Sequence, residues 1–170
     1  SDASVGSAQI TNDTLVMPNK LDMNGKELIL DADADTSIEA STDDTIVIDT
    51  AGTEQMRINS DGDLLIGKTA RDQGVVGCQF RTDGIGAFTA DASSPFRLNR
   101  LTDTGVLVNM QQAGSTVGTI STINGDLNIG TGDTGLQFRD SVNAIRPHDV
   151  DGAANRDNAI DLGQSSVRFD

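Results

Sequence analysis

Between Lys26 and Ala40 the chain alternates with a period of two. The even positions are Leu28, Leu30, Ala32, Ala34, Thr36, Ile38 and Ala40; the odd ones are Glu27, Ile29, Asp31, Asp33, Asp35, Ser37 and Glu39. Such alternation marks extended chain with one face turned to a core. At helical spacing the same apolar residues would scatter around the cylinder. The pattern predicts a strand through the whole stretch with its even face inside. Ala32 and Ala34 are weak strand formers, so their inner position predicts a narrow gap such as a symmetry axis, with Ala34 beside it.

Further strands are predicted at Thr45–Asp49 and Glu54–Asn59. The second puts Met56 and Ile58 on one face and Gln55, Arg57 and Asn59 on the other. Then comes a phrase used twice. Gly-Asp-Leu-x-Ile-Gly starts at Gly62 and again at Gly125, each time a glycine turn feeding a short apolar strand that a second glycine ends. Asn24-Gly25 before Leu28 is a looser instance. The sequence between the copies shows no matching repetition, so this is a reused hairpin device, not a solenoid period.

Beyond a polar connection at Ala70–Gly77, taken as a domain boundary, shorter strands are expected at Cys78–Phe80 and Gly86–Phe88. Phe96–Leu101 is expected to form a hairpin with Val106–Met110. Val117–Ile120, Gly125–Gly130 and Leu136–Phe138 follow, and after Arg139 only Ile145, Ile160–Leu162 and Val167–Phe169 look strand-like. The organisation is an N-terminal arm (1–22), a β shaft (23–69) and a β-rich distal domain (70–170).

Composition sharpens this picture. The chain of 170 residues has no Trp or Tyr, five Phe, 18 Gly, and 26 acidic against 12 basic residues, for a net charge of −14. Asp, Asn, Thr, Ser and Gly are weak helix formers. So few large side chains predict a core completed by partner chains. The acidity argues against nucleic acid, because phosphate binding needs a basic surface. No stretch approaches the ~20 apolar residues of a membrane span, so no membrane insertion is expected. Ser1 opens no signal-peptide pattern. Cys78 has no disulfide partner and reads as a small buried side chain.

Ordered phrases then resemble a known family. Met23–Asp49 (MNGKELILDADADTSIEASTDDTIVID) and Arg57–Thr69 (RINSDGDLLIGKT) resemble phrases of tail-fibre and related structural proteins of marine bacteriophages. So do Phe96–Thr122, Asn128–Phe138, Ile145–Pro147 and Asn158–Asp170. The last phrases resemble the run before a C-terminal intramolecular chaperone domain. The resemblance implies an all-β, elongated, intertwined homotrimeric fibre: a β-prism or β-helix-like shaft followed by a hairpin-rich head. It implies a virion location on the phage tail, other tail proteins as partners, and attachment to a host-surface glycan or protein receptor. The chain would be the mature product, or a piece lacking the chaperone. A bacterial extracellular fibre or adhesin is the alternative, followed by a glycan-degrading tail spike.

No chemistry stands out against that reading. Asp31, Asp33 and Asp35 fail as an EF-hand loop, since its sixth and twelfth positions would hold Thr36 and Thr42. They read as a solvated acidic face, with an ion shared between chains as the weaker option. Gly130–Gly135 is no phosphate loop, having no Lys after it, and reads as a β-turn. His148, the one histidine, is expected in a loop without a metal or nucleophile constellation. No carboxylate pair is singled out for glycoside cleavage. The chain is expected to be non-enzymatic and without cofactors. Receptor contact, if present, is expected in the distal half, with Arg97, Arg100, Arg139, Arg146 and Arg156 as candidates; pairing with the plentiful Asp is the favoured role for them.

Overall fold

The computed structural model describes residues 22–150, 154–156 and 160, with the backbone of two short strands beyond them. All but the last residue of the expected arm therefore lies outside the described residues. The described chain is all-β and its sheets are antiparallel meanders. The first holds β1 (Leu28–Ile29), β2 (Ser37–Glu39), β3 (Ile46–Thr50), β4 (Thr53–Ile58), β5 (Leu64–Ile66), β6 (Gly77–Phe80) and β7 (Gly86–Thr89), in that order. The second holds β8 (Gly105–Gln112), β9 (Ser115–Ile123), β10 (Asp126–Thr131), β11 (Thr134–Arg139) and β12 (Ala144–His148). β13 (Gly163–Gln164) and β14 (Val167–Arg168) pair with each other. Two compact units divide between Phe96 and Arg97. The boundary expected at Ala70–Gly77 thus lies inside the first sheet, which β6 and β7 extend.

The stretch from Lys26 to Ala40 is not one strand. β1 and β2 are two short strands folded on each other, with Leu28 opposite Ile38. The acidic alternation between them is a loop. The Asp31 carboxylate accepts the Asp35 and Thr36 amides at 3.2 and 3.3 Å, and the Leu30 amide reaches the Thr36 carbonyl at 2.9 Å. Short acidic side chains commonly draw the backbone into such turns. Ala34 sits in this loop at φ 62°, exposed, and not on an inner strand face.

Two-residue turns join several strands. Ala51-Gly52, Ala113-Gly114 and Asn124-Gly125 all have positive φ at both positions, 52° and 64°, 50° and 81°, 52° and 86°. This is the twist that matches a hairpin, and glycine or asparagine reaches it with least strain. Gly132-Asp133 closes β10 on β11, so the glycine-rich Gly130–Gly135 segment is a hairpin, as expected.

Three sequence expectations fail here. Phe96–Leu101 forms no strand; β8 pairs instead with β9. Phe96 is held by its ring, 5.1 Å from that of Phe88. His148 is not in a loop: it ends β12, pairs with Gly135, bridges to Asn155 and is 1% exposed. Cys78 lies in β6 and is half-buried rather than fully enclosed.

Both sheets sort their residues by face. In the first, Leu28, Ile38, Ile48, Met56, Ile66, Cys78 and Phe88 form one cross-strand row. Ile46, Ile58, Leu64 and Phe80 form a parallel row on the same face. The opposite face carries Glu39, Val47, Arg57, Leu65, Gln79 and Ala87. In the second sheet Val108, Ile120, Ile129, Leu136 and Pro147 line up, beside Leu127, Phe138 and Ile145. Behind them run Ser121, Asn128, Gln137 and Arg146, and Asn109, Thr119, Gly130, Gly135 and His148.

Candidate functional site

Burial inverts the usual rule. Only Val47, Leu65 and Ile123 are buried apolar residues among those described, whereas Ser37, Gln79, Ser121, Asn128 and Gln137 are at most 2% exposed. The apolar rows stay open: Ile38, Ile46, Ile58, Ile66, Phe80 and Phe88 in the first sheet are each more than a third exposed, as are Leu127, Ile129, Phe138 and Ile145 in the second. Lone exposed apolar side chains are ordinary, but contiguous rows of them mark an interaction surface. These two open faces are candidate interaction surfaces among the described residues.

The repeated phrase proves to be a structural lock. Asp63 is fully buried. One carboxylate oxygen accepts the Thr82 amide at 3.1 Å and the other accepts the Arg71 guanidinium. Asn59 braces the turn by accepting the Asp61 and Asp63 amides at 3.1 and 2.9 Å. The bonded Arg71 guanidinium, working against burial and helped by the Thr82 amide, holds the Asp63 carboxyl at about 2, below the ordinary 3.8. Asp126 repeats the arrangement: it accepts the Asp140 amide at 3.3 Å and lies 3.4 Å from Arg139. In both copies the residue two further on, Leu65 or Asn128, is fully buried, and the Ile after it lies on the open face.

The candidate arginines divide. Arg139 faces Asp126, Arg156 pairs with Asp133 at 2.9 Å, and Arg146 donates to Gln137 Oε1 at 2.7 Å. Three of the five are thus engaged with neighbours. Arg97 and Arg100 lie in the exposed segment before β8, where the Arg100 guanidinium is so close over Gly105 that a Cβ there would come within 2.9 Å of it. No shared arginine cluster is formed by these contacts.

Asp31, Asp33 and Asp35 can bring one oxygen each within 4.8 Å of one another. Such hard oxygen donors suit a calcium-like ion. The turn already accounts for the grouping: hydrogen bonding to the Thr36 hydroxyl first of all lowers the Asp31 carboxyl from its ordinary value. No helix among the described residues is long and apolar enough to cross a membrane. No family model, curated protein or solved structure matches the chain.

Proposed function

We propose that this chain is a non-enzymatic structural component of a phage tail fibre, a homotrimer that links the virion to a host-surface receptor. The observation that carries the reading is the pair of open apolar sheet faces. A chain with three buried apolar residues among those described leaves too little hydrophobic burial to offset the entropy of ordering. Covering Ile38, Ile48, Met56, Ile66 and their neighbours at roughly 25 cal/mol per Å² supplies what one chain lacks. Further copies of the same chain are the simplest cover, because self-association closes identical faces by symmetry. The ordered phrases that resemble tail-fibre proteins support the same assignment; on this reading the protein is part of the virion, with other tail proteins as its partners.

Light scattering on the purified chain is expected to give three times 17.8 kDa; a stable folded monomer overturns the oligomer. Attachment of the trimer to marine bacterial cells tests the receptor role. Loss of phage adsorption in the presence of excess soluble trimer is the expected result.

A further inference from the structure

We propose that the polar face of the second sheet carries a binding hollow for a neutral, polyhydroxylated ligand, a short uncharged glycan segment. The proposal rests on the attachment reading above and gives that reading a site. A hollow of about 490 Å³ lies over β8, β9 and β10, lined by Asn109, Thr116, Thr119 and Thr131, by the apolar Val106, and by Gly118, Gly130 and Gly132. Its volume falls within the range of small-molecule sites, roughly 300–1,000 Å³.

Asn109, Thr119 and Gly130 are direct cross-strand neighbours on the polar face. The glycines are not incidental. A Cβ at Gly130 would meet the Thr134 carbonyl oxygen at 2.4 Å and the Gly135 Cα at 2.5 Å, so the close approach of β11 backbone requires glycine at this position. A second observation points to a ligand. Thr119 lines the hollow, is 8% exposed, and its hydroxyl has no hydrogen-bond partner among the described residues. Along the same face Ser121 Oγ and Asn128 Oδ1 are likewise buried without a partner, while Asn128 Nδ2 donates to the Asp126 carbonyl. Buried polar groups normally find partners, and each exception asks for an explanation.

The chemistry of the lining selects the ligand. Hydroxyls both donate and accept, and the Asn109 amide offers one of each. No charged side chain lines the hollow, so nothing there rewards a sulfate or carboxylate. Sugar hydroxyls match that mixture. The absence of Trp and Tyr removes the usual stacking platforms, so a single site is weak, and three sites on one trimer raise the effective affinity by avidity.

The test is saturation-transfer NMR on the intact oligomer with cellobiose and N,N′-diacetylchitobiose, set against sulfated and sialylated oligosaccharides. The neutral sugars are expected to bind. Thr119→Val, which keeps the shape and removes the hydroxyl, should weaken them about tenfold, and Thr119→Ser should retain them. Circular dichroism and particle mass are measured alongside; if Thr119→Val fails to fold, Thr131→Val replaces it. Silence from the neutral sugars, unchanged binding by Thr119→Val, or binding by the anionic sugars alone overturns the hollow. Attachment to cells is measured in parallel. Wild-type attachment that Thr119→Val does not alter overturns the hollow and leaves the attachment reading intact. Sugar binding without cell attachment overturns the attachment reading alone.

Discussion

At the scale of single residues, Asp63 is the most consequential side chain in the first unit. Its lowered carboxyl value sets the direction of a pH effect. The depressed group contributes stability above its ordinary value of 3.8, and that contribution is lost as pH falls through about 2. Denaturant midpoints for the wild type and Asp63→Asn should therefore differ most at neutral pH and converge between about pH 4 and 2. At pH 7 Asp63→Asn should lower the thermal midpoint by several degrees, and Asp126→Asn by less, because its arginine contact is longer. Equal midpoints at pH 7 would refute the lock. The sequence displayed both aspartates within the repeated phrase. It could not show their partners, because Arg71 and Thr82 reach Asp63 through the folded sheet and not through spacing.

Among elements, most strands were legible and some of their limits were not. β3, β4, β5, β10 and β11 lie where alternation and glycine turns put them. Phe96–Leu101 misled because two apolar residues flanking Arg97 imitate a strand, while the longer β9 supplies β8 with a better partner. The acidic alternation before Ser37 misled differently. A period of two runs straight through a loop when Asp and Ala happen to take turns, and only the Asp31 hydrogen bonds reveal the fold-back. The grouping of Leu28 with Ile38 on one face survives that correction. The hollow was invisible in the sequence, since it depends on which threonines a register brings together.

Turn chemistry gives a prediction at this scale. Ala113 sits at φ 50° in the β8–β9 turn, where an L side chain with a Cβ is strained. Ala113→Asn should stabilise the second unit by about 0.5–1 kcal/mol, read from chemical denaturation. Gly130→Ala should do the opposite, with a loss of several kcal/mol or failure to fold, since its Cβ would strike backbone that cannot move aside.

For the whole molecule, the proposed trimer would make stability a property of the assembly. Met56→Glu puts a charge in the centre of the first sheet's apolar row, and should reduce the light-scattering mass toward that of one chain. Asp43→Lys changes the charge by two units, against one for Met56→Glu, but in an exposed loop, and should leave the mass unchanged. If both variants keep the wild-type mass, the apolar row is not the contact between copies. On the proposed trimer reading, the midpoint of unfolding should also rise with protein concentration.

The strict succession of strands has a kinetic consequence. In each meander, every strand bonds only to the one before and the one after it in the chain. No pairing waits for a distant segment, so loop closure is cheap and each sheet can zip from any hairpin outward. In the proposed trimer the slow event is the encounter between chains, whose rate depends on how many are present. Refolding should then split into a fast phase indifferent to dilution, seen by circular dichroism, and a slow phase that dilution retards, seen by light scattering. A sheet built this way can also gain or lose a hairpin at its end without re-routing any other strand.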